Sequence, residues 1–188
     1  MQIQYFGNTA FLLKGDDASV ALHLPQDKTG DADIVIPESE GGKAGKDQNV
    51  FDWPGEYEAR GVSVQLIPVG KEKPSRVAKI IIDGIAVIHL NGLLEPLTEK
   101  EEERIGSIDV LMTSIGKNAA LDEKNIKNTI EAIEPKIIIP MNFSADEEKA
   151  FAKSMGFTES EEEVDLKIKA GSLPSDDRME LHILRPRK

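Results

Sequence analysis

Short apolar runs separated by turn-forming residues make up the first half of the chain. Such runs predict β-strands, because β-branched and aromatic residues bounded by Gly, Asp, Asn or Pro favour extended structure. The last two runs are joined by Asp83-Gly84, a pair that suits a tight hairpin turn. The predicted strands of this half are Ile3–Phe6, Ala10–Lys14, Ser19–Leu24, Asp33–Ile36, Val62–Pro68, Val77–Asp83 and Ile85–Leu90.

In the second half, the apolar spacing changes from that of strands to that of helices. Isoleucines recur at helical spacing up to Pro135, which predicts a helix that ends there. Two pairs with capping-box spacing, Thr98 with Glu101 and Ser144 with Glu147, predict the beginnings of two more helices. The predicted elements are helices at about 98–105, 122–133 and 145–155 and strands Ile108–Thr113, Ile137–Pro140, Val164–Ala170 and Met179–Leu184.

The order of these elements indicates the fold class. Hairpins followed by β-α-β units are typical of an α/β (α+β) architecture. The 188 residues suit one domain spanning residues 1–188, and no linker or long repeat divides them. We expect the strands at 108–113 and 137–140 to be adjacent and parallel.

The chain is acidic, with a formal net charge of −11, and it contains no cysteine. The charge argues against nucleic-acid binding, which depends on clustered Lys and Arg. The basic cluster Arg185–Lys188 is expected to be a solvated tail.

No apolar run approaches the roughly 20 residues of a membrane span, and the first residues, MQIQYFGNTAF, lack the pattern of a signal peptide. We therefore expect a cytoplasmic protein without membrane partners.

The stretch PKIIIPMNFS at 135–144 indicates a candidate site. Three consecutive isoleucines predict a strand buried on both faces. Residues just beyond such a strand commonly line a ligand crevice in α/β proteins. The polar residue that follows the strand is Asn142, where a metal enzyme would place a histidine.

Six stretches together resemble, in order, landmarks of the small metallo-β-lactamase-fold hydrolases. The most specific are the segments Pro54–Glu58 and Glu134–Met141. The resemblance runs from residue 1 to about residue 185. The six stretches are YFGNTAFLL, DADIVIPESEGGKAG, FDWPGEYEARGVSV, DGIAVIHLNG, LTEKEEERIGSIDVLM and IEPKIIIPMNF.

The resemblance implies a four-layer αββα sandwich with a metal site in a cleft at one edge. Members of the family use zinc or another divalent metal to activate water. The usual two-metal site needs about five histidines, whereas this chain has three: His23, His89 and His182. Its ligand motifs are therefore degenerate, and neither a bound metal nor another cofactor is expected.

Matching the family motifs to this sequence identifies the positions of the former metal-site cleft. None of the matched ligand positions carries a histidine or an aspartate, and Asn142 stands at the last histidine position. His89 precedes the position where the bridging aspartate is replaced by Gly92. The residues predicted to line this cleft are Asn8, Ser39, Gly41, Lys43, Ala44, His89, Asn91, Gly92 and Asn142, with His23 beside them.

Three functional hypotheses follow. In the first, the chain is a non-catalytic, metal-free protein that acts through binding or assembly. In the second, it is a hydrolase with an unusual site, in which carboxylates hold one hard cation and His89 assists. The candidate carboxylates are those of Glu38, Glu40, Asp47 and Asp52. In the third, it is an inactive partner subunit of an active homologue. For partners, a homo-oligomer and a homologous partner both stay open. The sequence does not identify the ligand.

Overall fold

A computed structural model describes residues 1–42, 45–72, 74–157, 162–175 and 178–187. The strands are β1 (Gln2–Tyr5), β2 (Phe11–Lys14), β3 (Ser19–Leu22), β4 (Ile34–Ile36), β5 (Asn49–Val50), β6 (Gly55–Ala59), β7 (Val62–Val69), β8 (Ser75–Ile82), β9 (Ile85–Leu90), β10 (Val110–Ser114), β11 (Ile137–Met141), β12 (Glu162–Glu163), β13 (Asp165–Lys167), β14 (Glu180–Leu181) and β15 (Ile183–Leu184). The helices are α1 (Glu99–Ile105), α2 (Glu123–Ile133) and α3 (Ala145–Ser154).

Two mixed sheets pack face to face. The six-stranded sheet has the order β13-β1-β2-β3-β4-β5, and the seven-stranded sheet has the order β14-β11-β10-β9-β8-β7-β6. Strands β10 and β11 are adjacent and parallel, with Val110 opposite Ile137 and Thr113 opposite Pro140. This confirms the predicted pairing and the α/β sandwich class.

Apolar side chains fill the space on both sides of the seven-stranded sheet. One cluster lies between the two sheets and includes Phe11, Leu66 and Ile139. A second cluster lies between the seven-stranded sheet and the helices and includes Ile130 of α2 and Phe151 of α3. Among the described residues, the buried apolar side chains of all three helices belong to this second cluster, so the helical layer is concentrated on one side of the sandwich.

The helices begin and end for local reasons that the sequence anticipated. Thr98 and Ser144 form capping boxes with Glu101 and Glu147 at the beginnings of α1 and α3. Helix α2 ends at Ile133, and the capping residue Glu134 adopts a left-handed conformation with φ of 48° directly before Pro135. The predicted positions of the three helices are confirmed.

The end of the chain differs from the prediction. The predicted strand at 164–170 is shorter because Ala170–Ser172 forms a turn of 3-10 helix. The predicted strand at 179–184 is divided between β14, which pairs with β11, and β15, which pairs with β12. Strands β5 and β6 were not predicted, and β6 forms the outer edge of the seven-stranded sheet.

The basic terminal segment is not the solvated tail that its composition suggested. Arg185 bonds Glu148 of α3 with a distance of 2.6 Å between Nη1 and Oε2. Arg187 forms a two-pronged contact with Asp165, in which its Nε lies 2.8 Å from Oδ1. These ion pairs hold the segment against the sandwich, because oppositely charged partners are available on α3 and β13. Lys188 lies outside the described residues.

No helix in the described part of the chain is both long enough and apolar enough to cross a membrane.

Candidate functional site

An open cleft lies where the loops after β1, β3, β4, β9 and β11 meet. One cavity of about 560 Å³ is lined by residues of these loops, including Asn8, His23, Glu38, Asn91 and Asn142. A second cavity of about 490 Å³ shares His23, Glu38 and Asn91 with the first. The two cavities therefore adjoin and are treated together as the cleft, at the strand ends where α/β proteins commonly bind ligands.

The structure brings most of the residues predicted for the former metal site to this cleft. Asn8, Asn91 and Asn142 line the first cavity, and Ser39 and Gly92 line the second cavity together with Asn91.

Three predicted residues take other places or cannot be located. His89 lies beneath the cleft with 1% of its surface exposed and lines neither cavity. Gly41 also lines neither cavity, and its amide donates to Asp52 Oδ2 at 2.9 Å. Lys43 and Ala44 lie outside the described residues.

Three of the six non-glycine residues with a left-handed backbone in the described part of the chain line the cleft. Asn8, His23 and Asn142 have φ values of 51°, 52° and 57°. Asn and His adopt this region more readily than most other non-glycine residues. Each of the three residues follows a strand, so the turn directs its side chain toward the space between the loops.

The hydroxyl of Tyr5 connects two of these loops. Its O–H donates to the carbonyl of Asn8 at 2.9 Å, and its oxygen accepts from the amide of Asn142 at 3.0 Å. Tyr5 is 3% exposed and packs against Phe11 with ring centroids 4.8 Å apart. Burial raises the pKa of Tyr5, so the phenol stays protonated and can serve as both donor and acceptor.

Two histidines lie next to each other at the floor of the cleft. The rings of His23 and His89 meet edge to face, with centroids 4.6 Å apart. His89 Nε2 donates to the carbonyl of Thr9 at 2.9 Å. His23 Nδ1 lies 3.2 Å from Asn91 Nδ2 and 3.2 Å from Thr9 Oγ1. Because an amide nitrogen can only donate, His23 Nδ1 is the acceptor in this network.

Both histidines are neutral near pH 7. Burial lowers the pKa of His89 to about 4, against the opposing effect of its bond to Thr9. Burial lowers the pKa of His23 to about 2, and the neighbouring His89 and Arg76 act in the same direction. Both pKa values are lowered because burial removes the charged imidazolium from water and so disfavours the protonated form.

The side chains present do not fit a zinc ion. Within the described ranges, no three His, Asp or Glu side chains come together in a group that could hold a metal. The lone pair of His23 Nδ1 already accepts hydrogen bonds, and the side-chain amide of Asn142 donates to the carbonyl of Asn118 at 3.4 Å. Zinc sites need several imidazole, thiolate or carboxylate ligands with free lone pairs.

Arg76 is a cleft residue that the sequence pattern did not indicate. Its guanidinium donates to the carbonyl of Pro37 at 2.6 Å and to the carbonyl of Asp52, and it lines the second cavity. It therefore connects the loop after β4 to the loop before β6. Arg76 stands near the beginning of β8, and this local pattern gives no indication of its contacts with the distant carbonyls of Pro37 and Asp52.

Comparison with known proteins agrees with this architecture. The class defined by the two packed sheets, the flanking helices and the strand-end cleft is the metallo-β-lactamase fold. A family model described as the β-lactamase superfamily domain matches residues 2–142. The chain belongs to this superfamily. A search of curated protein sequences found no significant match.

Solved structures share the fold at low sequence identity. A candidate Zn-dependent hydrolase of the metallo-β-lactamase superfamily from Thermotoga maritima is 24% identical, with a TM-score of 0.79, and the match covers 98% of this chain and 99% of that one. Igni18, a metallo hydrolase from Ignicoccus hospitalis, is 17% identical, with a TM-score of 0.62 and coverage of 89% and 99%. YhfI from Bacillus subtilis is 8% identical, with a TM-score of 0.62 and coverage of 98% and 97%.

Proposed function

We propose that this protein is a non-catalytic, metal-independent member of its superfamily and that its cleft binds a small polar ligand. The observation that carries the proposal is the hydrogen-bond network at the cleft floor. There the polar groups of Thr9, His23, Asn91 and Asn118 serve as partners for one another or for Asn142. Groups that satisfy each other in this way need no ion to hold them together.

The chemistry of these groups supports binding more than hydrolysis. Side-chain amides do not ionise near neutral pH, so Asn8, Asn91 and Asn142 cannot act as general acids or bases. They offer donors and acceptors together, which suits recognition of a polar ligand. His89 donates to a backbone carbonyl and is buried, so it does not face the cavity that a substrate would enter.

Metal analysis and activity assays test the proposal directly. The purified protein is expected to carry less than stoichiometric zinc, manganese or iron, and added Zn²⁺ is expected to leave its melting temperature unchanged. A ligand specific to the folded state at a hundredfold excess over its Kd would stabilise it by about 2.7 kcal/mol, which thermal unfolding would detect. Stoichiometric metal with a large shift in melting temperature would contradict the proposal.

Hydrolysis assays provide the second test. We expect no turnover of β-lactam, phosphodiester or thioester substrates by the natural protein. Asn142→His is also expected to be inactive, because one imidazole cannot replace a complete ligand set. Turnover by the natural protein that is lost in His89→Ala would overturn the proposal.

One observation favours the alternative of a carboxylate-based hydrolase. Glu38 and His23 line both cavities, so a carboxylate and an imidazole do share the cleft. If this pair supports a cation, Glu38→Gln should abolish both the metal content and any turnover of the purified protein. We expect no effect of Glu38→Gln on either measurement.

We also propose that the protein acts in the cytoplasm, alone or with a homologous partner or second copy. Size-exclusion chromatography with light scattering, followed by crosslinking in cell extract, would test this assembly.

A further inference from the structure

Arg76 keeps unused hydrogen-bonding capacity at the second cavity. A guanidinium has five N–H donors, and this one gives two of its nitrogens to the carbonyls of Pro37 and Asp52. Those two bonds hold the planar group in place, so less side-chain freedom is lost when a ligand binds. The half-buried position reduces the screening of its charge by solvent. Arg76 is therefore a preorganised cation at the wall of an open cavity.

The neighbouring Ser75 provides an independent indication of a ligand. Its hydroxyl oxygen is buried and has no hydrogen-bond partner among the described residues, although Ser75 lines the same cavity as Arg76. Buried side-chain hydroxyls are nearly always partnered, because an unsatisfied one costs free energy. Rotation of the Ser75 side chain would turn this hydroxyl toward the cavity, where a ligand oxygen could satisfy it and also use the free guanidinium donors of Arg76.

The outer wall of this cavity carries the opposite charge. Glu38 and Glu40 line it and are exposed to solvent, whereas Arg76 is half-buried. A ligand with an anionic group at the inner end and a cationic group at the outer end would match both walls. A polyanion would be repelled by the two glutamates.

We propose that the cavity beside Arg76 binds a small zwitterion, with its carboxylate on Arg76 and Ser75 and its ammonium group toward Glu38 and Glu40. A planar carboxylate matches the fork of N–H groups on a guanidinium. The inference rests on the proposed function, because it specifies the kind of ligand that the cleft binds. We use 4-aminobutyrate as the probe, because it is a small zwitterion with a carboxylate at one end and an ammonium group at the other. The glutamates on the outer wall are expected to make it a better ligand than butyrate or inorganic phosphate.

Trp53 allows the binding to be measured directly. It is the only tryptophan of the chain, it is 60% exposed, and it precedes Pro54, which lines the cavity. Its fluorescence can therefore follow titrations of the natural protein with 4-aminobutyrate, butyrate, butylamine and inorganic phosphate. Melting temperature provides a second readout.

Saturable binding that is tightest for 4-aminobutyrate is expected. Strongest binding of butylamine or of phosphate, or no binding of the zwitterion in the millimolar range, would overturn the assignment.

Three variants locate the site. Arg76→Met is expected to weaken 4-aminobutyrate binding by about tenfold or more, because a charge-assisted contact is lost. Ser75→Ala is expected to weaken it about fivefold. Ser75→Ala should fold normally, since it removes a hydroxyl that has no partner, so the test remains valid if Arg76→Met fails to fold. Arg104→Met removes the same charge from the exposed end of α1 and should bind as the natural protein does.

Equal affinity of Ser75→Ala and the natural protein would overturn the inference even if binding is observed. Failure of the inference is distinguishable from failure of the proposed function. Metal content and turnover test the function, whereas the dependence of binding on Ser75 and Arg76 tests the ligand site.

Discussion

The hydroxyl of Tyr5 joins loops that follow β1 and β11, strands that lie in different sheets. Replacement of Tyr5 by phenylalanine would leave the amide of Asn142 and the carbonyl of Asn8 without this partner. We expect the unfolding free energy, measured with urea, to fall by about 1–3 kcal/mol. Tyr57→Phe is the matched control, because its hydroxyl bonds one backbone carbonyl at an exposed position. A smaller effect of Tyr5→Phe than of Tyr57→Phe would contradict this account.

The buried His89 should make the stability depend on pH. Its pKa is near 6.5 in the unfolded chain and about 4 in the folded protein, so the unfolded chain binds the proton more readily. The contribution of His89 to the unfolding free energy is therefore fully present above pH 6.5 and is lost as the pH falls toward 4. The shift corresponds to a loss of about 3 kcal/mol at the lower pH.

Replacement of His89 by glutamine tests this dependence. The urea midpoint of the variant should change less between pH 7 and pH 4.5 than that of the natural protein. His23, whose pKa is lowered for similar reasons, should retain part of the dependence. His182→Gln is a suitable control, since His182 bonds Glu163 away from the cleft. An unchanged pH profile in His89→Gln would show that His89 does not titrate as described.

The polar character of the cleft could be predicted from single residues, but its hydrogen-bond network could not. Asn142 was recognised because it follows a strand and stands at a position where the family carries a ligand, and Asn91 because it directly precedes Gly92, the position of the bridging aspartate. The contacts of Arg76 with Pro37 and Asp52 join segments far apart in sequence, and local spacing carries no information about them. The placement of His89 beneath the cleft likewise depends on the packing of β9 against β2 residues such as Phe11.

Glu147 connects the beginning of α3 with the loop after β10. Its carboxylate accepts from the backbone amides of Ser144 and Lys117 and from the hydroxyl of Ser144. The bonds to Lys117 and Ser144 lower the pKa of Glu147 to about 2. The stabilisation is thus present above the unfolded pKa of 4.5 and is lost as the pH falls toward the folded pKa of about 2.

We therefore expect Glu147→Gln to lower the melting temperature at pH 7 and to have a progressively smaller effect below pH 4. Glu131→Gln, on the exposed face of α2, is the control and should leave the melting temperature nearly unchanged at both pH values. An effect of Glu147→Gln that is independent of pH would contradict the role of the charged carboxylate.

The sequence predicted elements well where a strong pattern coincides with a clear boundary. The three isoleucines of β11 and the capping boxes of α1 and α3 are examples. The short strands near the end of the chain were predicted poorly. There, β14 and β15 are two residues each and exist because they pair with β11 and β12, so tertiary contacts decide their limits.

At the scale of the whole molecule, Arg185 holds the end of the chain against α3. Glu148 is 8% exposed, so Arg185→Met would leave a buried carboxylate without its main cation. We expect a loss of about 2 kcal/mol in unfolding free energy, measured with urea. Arg178→Met, which removes an exposed pair with Glu180, should cost less than about 0.5 kcal/mol. Equal effects of the two variants would contradict a structural role for the terminal segment.

Strand β6 is an edge strand of the seven-stranded sheet, and its charges restrict how two copies of the chain can meet. If two β6 strands paired antiparallel around Tyr57, Glu56 of each copy would face Glu58 of the other. Like charges directly opposite each other destabilise a ladder, and charged residues on sheet edges oppose aggregation. Continuous growth of this sheet from one copy to the next is therefore disfavoured, and a symmetric dimer would have to use another face of the molecule.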